Sequence, residues 1–99
     1  MNYNENLLVV AQEECAEIQQ EISKALRFGL DNYHPAVPTM SNAHRILTQY
    51  YQLQEVMEML ISGGVLPELS YTAIEAIKHD KKCNVEKYAR LSQSLGRIE

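Results

Sequence analysis

Hydrophobic residues recur at three- and four-residue steps along the first quarter of the chain. This spacing is typical of the buried face of an amphipathic helix. The apolar positions that follow it are Leu7, Ala11, Ile18, Ile22 and Ala25. Gly29 is a suitable C-terminal cap, because glycine readily adopts the backbone conformation that ends a helix. The sequence therefore predicts a first helix from about residue 5 to residue 29.

A proline-containing segment, residues 30 to 39, follows this helix. Proline lacks a backbone N–H and disfavours helix in the residue before it, so the two prolines of this segment predict a loop. Ser41 or Asn42 can then cap a second helix, which the pair Gly63-Gly64 ends. The apolar face predicted for this helix contains Ile46, Tyr50, Leu53, Val56, Met57 and Leu60.

The last third of the chain carries one more helical stripe, which Ser70 can cap and Gly96 can end. Its apolar positions are Ile74, Ile77, Val85, Tyr88, Leu91 and Leu95. No alternation typical of strands competes with these helices, and the connectors are short enough for antiparallel neighbours. The sequence predicts an all-α fold, an antiparallel bundle of about three helices in a single domain covering residues 1 to 99.

Composition adds an expectation about assembly. Hydrophobic residues make up 45% of the 99 residues and charged residues 22%, which is more apolar surface than a short three-helix protomer can bury alone. Self-association is the usual way to cover such surface. We therefore expect a homo-oligomer, either a dimer or a tetramer.

Charge and cysteine content exclude several classes of protein. A formal net charge of -4 argues against binding a nucleic-acid polymer, because such binding depends on clustered Lys and Arg. Cys15 and Cys83 lie far apart without a Cys-x-x-Cys pattern, so we expect buried thiols and neither a disulfide framework nor a zinc site. No apolar run approaches the length that spans a bilayer, and no secretory leader is recognisable, so we expect a cytoplasmic, non-membrane protein.

Acidic residues interrupt the apolar stripe of the first helix. Glu14 and Glu17 continue a row that begins at Leu7 and Val10, so both carboxylates are expected beside the buried face. Carboxylates at this spacing repel one another unless a cation compensates them, and Mg²⁺ prefers such oxygen ligands. A solvated acidic helix face is the alternative interpretation, since glutamate is a good helix former.

The residues around these glutamates resemble a known family. Glu13-Glu14-Cys15-Ala16-Glu17 followed by Ser23-Lys24-Ala25-Leu26-Arg27-Phe28-Gly29 is similar to the first motif of the MazG-like nucleotide pyrophosphohydrolases, particularly short phage-encoded members. The tail Lys81-Lys82-Cys83-Asn84-Val85-Glu86-Lys87-Tyr88, with Ser92 and Leu95-Gly96, is similar to the family's C-terminal helix. With the intervening helix, the resemblance covers nearly the whole chain.

The resemblance implies an enzyme that cleaves a nucleoside triphosphate, ribo or deoxy, to a monophosphate and pyrophosphate with Mg²⁺ as cofactor. It implies Glu14 and Glu17 as the principal metal ligands and Glu13 as a further ligand or general base. The family's second motif, Glu-x-x-Asp, aligns with Gln49 and Gln52, which can offer a carbonyl oxygen but no negative charge. Glu55, one turn after Gln52, could partly substitute as a ligand.

Basic and polar residues are the candidates for substrate binding. Lys81 interrupts the apolar stripe of the third helix, so its ammonium group either extends to solvent or meets a phosphate. Lys24 and Arg27 suit the end of the first helix even without a ligand. Tyr88 could stack on a base, although core tyrosines are more common. The complete set of candidates is Lys24, Arg27, Lys78, Lys81, Asn84 and Tyr88.

Three functional hypotheses follow from these observations. The first is a Mg²⁺-dependent nucleotide pyrophosphohydrolase. The second is a catalytically impaired relative that binds or sequesters a nucleotide, or a nucleotide-derived signal, without hydrolysis; Gln49 and Gln52 favour it over what the resemblance alone suggests. The third is an oligomeric interaction protein without a ligand.

Overall fold

The computed structural model describes all residues from Met1 to Glu99. It contains three helices and no strand. The helices are α1 (Tyr3–Phe28), α2 (Asn42–Ser62) and α3 (Tyr71–Ser94). The prediction of an all-α fold with three helices is confirmed. The chain divides into two compact units, Met1–Pro67 and Glu68–Glu99.

Each helix begins at a polar side chain that accepts a hydrogen bond from the first turn. Ser41 Oγ accepts from the backbone N–H of His44 at 3.1 Å, and Ser70 Oγ accepts from that of Ala73 at 3.1 Å. These contacts satisfy backbone donors that have no partner within the helix. Asn2 performs the same role for α1, which therefore begins two residues earlier than the apolar stripe alone indicated.

The helices α1 and α2 form an antiparallel pair. Near the end of α1, the carbonyl oxygens of Gly29 and Leu30 accept hydrogen bonds from Asn42 Nδ2 and Ala43 N, both at 2.9 Å. At the opposite end, Gly63 lies beside the side chain of Asn4. The two helices therefore run past each other over their whole length, and residues near the middle of α1 face residues near the middle of α2.

The buried apolar core of this pair is small. It consists of Leu7, Ala25 and Leu60, of which Leu60 is fully enclosed. Two polar residues, Glu21 and Asn42, are buried beside them. The loop between α1 and α2 contains no helix or strand, and it has one isolated bridge between Tyr33 and Ser41. The α1/α2 contact is therefore more polar toward the end of α1 and the start of α2 than the stripes alone suggest.

The unit Glu68–Glu99 consists mainly of α3, and none of that helix's residues is buried. Its apolar stripe is exposed, including Ile77, Val85 and Leu91. The assembly of three helices into one bundle, the single domain and the homo-oligomer therefore stay predictions. None of the helices combines the length and hydropathy needed to span a lipid bilayer.

The prediction of buried thiols is wrong, because Cys15 and Cys83 are both exposed. Cys15 lies one position beyond Glu14, and this single step turns its side chain away from the contact with α2. Cys83 is on α3, where no residue is buried. Its Sγ lies 3.5 Å from His79 Nε2, a pairing of neighbours one turn apart on the same helix.

Candidate functional site

Four polar side chains meet where α1 crosses α2. Glu14 and Glu17 extend from α1, and Gln49 and Gln52 extend from α2. In the orientation that pairs donors with acceptors, Gln49 Nε2 donates to Glu17 Oε2 at 2.7 Å, to Gln52 Oε1 at 2.9 Å and to Glu14 Oε2 at 3.0 Å. We call these four residues the acid–amide cluster.

The amide of Gln49 links the other three side chains of the cluster. An amide nitrogen carries two hydrogens, so its three acceptors share them, and two of those acceptors belong to carboxylates. Hydrogen bonds to ionised groups are stronger than those between neutral groups. Gln49 thus partly compensates the repulsion between Glu14 and Glu17, as a neutral donor on the facing helix.

The electrostatics of the cluster centre on Glu14. Burial raises the pKa of Glu14 above its ordinary value of 4.5, and the neighbouring charges of Glu17 and Glu13 add to the rise. Both causes act in the same direction, because each disfavours the ionised carboxylate. A cation among these oxygens would act in the opposite direction and lower that pKa.

The side-chain oxygens of the acid–amide cluster are ligands of the type that a hard divalent cation prefers. Each side chain can present an oxygen, which is the ligand type that Mg²⁺ prefers. The Gln49 amide lies within 3.0 Å of oxygens of Glu14, Glu17 and Gln52, so these residues would hold the ion if one were bound. With a cation present, the Gln49 amide would turn by half a rotation to present its oxygen. The set contains two carboxylates only, and no group of three or more His, Cys, Asp or Glu side chains is placed to hold a metal ion.

The other two acidic candidates lie at the margin of the cluster. Glu13 is exposed, and its charge contributes to the raised pKa of Glu14. Glu55, one turn beyond Gln52 on α2, is also exposed. The structure gives neither of them a hydrogen bond into the acid–amide cluster. Their roles as general base and substitute ligand stay predictions.

A buried ion pair lies one helical turn from the cluster. Glu21 follows Glu17 by one turn on α1, and Arg45 precedes Gln49 by one turn on α2. Arg45 Nη1 lies 3.8 Å from Glu21 Oε1, and Lys24 Nζ lies 3.6 Å from the same oxygen. The side chain of Glu21 is only 8% exposed. Along the antiparallel contact of α1 and α2, the pair Glu17 and Gln49 is thus followed one turn further by the ion pair of Glu21 and Arg45.

A groove of about 620 Å³ opens beside this ion pair. We call it the basic groove. It lies at the end of α1, the start of α2 and the loop between them, and its lining includes Lys24, Arg27, Arg45, Phe28, Tyr33 and His34. The guanidinium of Arg27 stacks over the ring of Phe28, 4.9 Å from its centroid. Two of the predicted substrate-binding residues, Lys24 and Arg27, therefore line the same groove as Arg45.

Arg45 and Glu21 were not among the candidates from the sequence. The signal that could have found them is their spacing, because each lies one turn from a residue of the acid–amide cluster on its own helix. A charged residue that continues a core-facing row is expected to be paired. In the chain they stand four residues from Gln49 and Glu17, respectively.

The four remaining substrate-binding candidates lie on α3, within the second unit. Lys78 Nζ lies 3.7 Å from Glu75 Oε1, an exposed pair one turn apart. Lys87 Nζ lies over the ring of its neighbour Tyr88, 5.6 Å from the ring centroid. Lys81 and Asn84 are exposed. Their part in substrate binding stays a prediction.

Comparisons with protein-family models, with curated proteins and with solved structures gave no match for this chain. The resemblance to the MazG-like family thus rests on the sequence motifs alone. What the structure adds is the meeting of Glu14 and Glu17 with Gln49 and Gln52 across two antiparallel helices.

Proposed function

We propose that the chain is a Mg²⁺-dependent pyrophosphohydrolase that converts a nucleoside triphosphate, ribo or deoxy, to its monophosphate and pyrophosphate. The observation that carries this proposal is the contact of the Gln49 amide with Glu14, Glu17 and Gln52. It places two carboxylates and two amides, all capable of offering oxygen ligands, around one point. The basic groove beside them supplies the positive charge that a polyphosphate needs.

In this proposal Glu14 and Glu17 hold Mg²⁺, with the side-chain oxygens of Gln49 and Gln52 completing the protein's share of ligands. When bound, Mg²⁺ supplies charge neutralisation at the phosphates and makes a water molecule more acidic. Glu13, at the edge of the cluster, accepts a proton from the attacking water as general base. Water oxygen bonds to the α-phosphorus, the bond from that phosphorus to the bridging oxygen breaks, and its electron pair leaves with pyrophosphate.

The substrate's phosphates lie toward the cations of the groove in this arrangement. Lys24 and Arg27 follow the cluster along α1, at seven and ten residues beyond Glu17. At 1.5 Å per residue these steps are about 10 and 15 Å along the helix axis. Such a range suits an elongated anion with a nucleoside at one end. We propose that Lys78, Lys81, Asn84 and Tyr88 of α3 are further substrate-binding residues.

A second candidate function is nucleotide binding without hydrolysis. It is favoured by Gln49 and Gln52, which bring neutral amides to the cluster and, in the case of Gln49, donate hydrogen bonds to both carboxylates. Two carboxylates bring less negative charge to Mg²⁺ than four, and amides cannot accept a proton as general bases. A protein of this kind would retain the pocket, bind a nucleotide or nucleotide-derived signal, and release it unchanged.

Assembly and location complete the proposal. We propose a homo-oligomer, dimer or tetramer, that acts in the cytoplasm and binds no nucleic-acid polymer. The many exposed large apolar side chains of both units support self-association, because association would remove their apolar surface from water.

A panel of nucleoside triphosphates tests the proposed reaction. The purified protein is incubated with each nucleotide and Mg²⁺, and pyrophosphate release and thermal shift are measured together. We expect turnover that Glu17→Gln abolishes and that Glu5→Gln, a matched loss of an exposed carboxylate near the start of α1, leaves unchanged. Thermal stabilisation without turnover supports the second candidate. Neither turnover nor stabilisation would contradict both.

A further inference from the structure

The basic groove concentrates positive charge in an acidic protein. Its lining contains three side chains with permanent positive charge, Lys24, Arg27 and Arg45, and Glu21 is the one carboxylate paired with any of them. The whole chain carries a formal charge of -4. An excess of cations around a concave surface attracts anions and favours their binding. The groove is therefore a place where an anion is stabilised.

Arg45 is the cation of this groove that the fold holds most firmly. Its side chain is 25% exposed, whereas that of Lys24 is 50% exposed. Arg45 Nε is buried without a hydrogen-bond partner, and so is Glu21 Oε2. The 3.8 Å between Arg45 Nη1 and Glu21 Oε1 is also longer than a charge-assisted hydrogen bond. Glu21 thus holds the guanidinium by charge without a short hydrogen bond, and the Nε–H group of Arg45 has no acceptor within the protein.

The position of Arg45 relates the groove to the acid–amide cluster. Arg45 precedes Gln49 by four residues on α2, which is one turn and about 6 Å along the helix axis. A guanidinium presents a planar fork of donors that matches the oxygens of a phosphate group. A phosphate bound to Arg45 would therefore lie next to a cation held by the acid–amide cluster.

We propose that Arg45 is a phosphate-binding residue. It binds the phosphate chain of the ligand between the basic groove and the acid–amide cluster. That the phosphate belongs to a nucleotide rests on the proposed function. The binding of an inorganic phosphate chain by Arg45 does not, because it requires neither Mg²⁺ nor hydrolysis. The two claims can therefore fail separately.

The test compares two variants that leave no unpaired carboxylate at position 21, where the side chain is 8% exposed. Removing Arg45 alone would leave Glu21 short of a partner and could unfold the protein. Glu21→Gln is therefore the background, and Glu21→Gln with Arg45→Gln is the test variant. Binding of inorganic pyrophosphate is measured by isothermal titration calorimetry in the presence of EDTA. We expect the double variant to bind pyrophosphate about tenfold more weakly, or worse, than Glu21→Gln alone.

Two controls decide how the result is interpreted. Arg90→Gln, made in the same Glu21→Gln background, removes an exposed arginine from α3 and should leave the pyrophosphate affinity unchanged. Thermal unfolding of each variant verifies that it is folded. Equal pyrophosphate affinity of the folded double variant and its background, or no measurable affinity in either, would overturn the assignment of Arg45. Arg45-dependent binding in a protein that never hydrolyses a nucleotide would overturn the proposed reaction and leave the assignment standing.

Discussion

At the residue scale, Gln49 links two glutamates that lie beside the contact between α1 and α2. Its amide donates to Glu14 and Glu17 at 3.0 and 2.7 Å, so the carboxylates share a neutral partner. Glutamate at this position would add a third negative charge instead. The residue that departs from the family's motif is thus the residue that donates hydrogen bonds to both carboxylates.

Glu14→Gln should weaken Mg²⁺ binding and leave the fold intact. Glutamine and glutamate differ little in helix propensity, but glutamine removes the charge of a ligand. We expect Mg²⁺ affinity, measured by calorimetry, to fall by about tenfold, which corresponds to about 1.4 kcal/mol. Circular dichroism should show the same helix content as the wild type. Unchanged Mg²⁺ affinity would show that Glu14 is not a ligand.

The pH dependence of metal binding should reflect the raised pKa of Glu14. Mg²⁺ competes with the proton for this carboxylate, so Mg²⁺ affinity should increase as the pH rises through that pKa. The free energy of unfolding of the metal-free protein should change with pH in the opposite direction. A raised pKa in the folded state means that Glu14 favours folding while it is protonated, and that this contribution is lost as the pH rises from 4.5 upward.

Thermal unfolding in EDTA measures this metal-free effect. Between mildly acidic and neutral pH the wild type should lose a component of stability that Glu14→Gln does not lose, because glutamine does not titrate. Parallel curves for the two proteins across this range would contradict the environment described for Glu14.

Sequence reasoning located the acidic residues better than their partners. Glu14 and Glu17 could be identified because they break an apolar row that the helical period makes visible. The pairing of Arg45 with Glu21 could not be predicted, since the two residues are on different helices and their contact depends on the register between α1 and α2. Cys15 illustrates the same limit. A cysteine of this kind is expected to be buried, whereas the position of Cys15 on α1, one residue after Glu14, directs its side chain to the surface.

At the scale of elements, α2 carries the difference between this chain and the motif it resembles. The double change Gln49→Glu with Gln52→Asp should strengthen Mg²⁺ binding and raise pyrophosphohydrolase activity. Each 1.4 kcal/mol recovered in the transition state gives about a tenfold gain in rate. In EDTA the same change should lower the free energy of unfolding by about 1–3 kcal/mol, since it removes the Gln49 donor and adds charges of the same sign. Mg²⁺ should restore the lost stability.

A single exposed substitution provides the control for this prediction. Gln20→Glu adds negative charge on the outer side of α1 and should change neither Mg²⁺ affinity nor Mg²⁺-dependent stability. An active wild type that loses turnover on the double change would show that Gln49 and Gln52 are adapted to their ligand. An inactive wild type that gains turnover would identify a binding protein that retains the geometry of an enzyme.

The helices themselves were predictable because their signals are local. Ser41 and Ser70 cap α2 and α3 as their sequence context indicated, and Gly29 caps the end of α1. The start of α1 was placed two residues late, because Asn2 precedes the apolar stripe and no hydrophobic period marks it. Packing between helices depends on contacts distant in sequence, which the stripes do not specify.

At the scale of the whole molecule, apolar side chains remain at the surface of both units. Within Met1–Pro67 the core has three apolar residues, while Leu26 is 83% exposed and Leu47 and Tyr51 are also exposed. On α3 the stripe that includes Ile77 and Leu91 is exposed. So small a core stabilises a protein only weakly, and surfaces of this kind are usually covered by another chain.

We predict that the protein is an obligate homo-oligomer. Sedimentation velocity at micromolar concentration should show a dimer or tetramer as the dominant species, because association buries the exposed apolar surface. Dilution should lower the melting temperature, since the stability of an obligate oligomer depends on protomer concentration. A dominant, cooperatively folded monomer of 11.3 kDa would contradict this prediction.

The central claim is that Glu14, Glu17, Gln49 and Gln52 hold a divalent cation for a nucleotide. The most direct test is a crystal structure grown with Mn²⁺, which substitutes for Mg²⁺ and scatters anomalously, and with a non-hydrolysable nucleoside triphosphate analogue. We predict an anomalous peak within bonding distance of the Glu14 and Glu17 carboxylates, the Gln49 amide turned with its oxygen toward the metal, and the phosphate chain extending toward Arg45. A structure in which Gln49 still donates to both carboxylates, with the cation and nucleotide bound elsewhere, would contradict it.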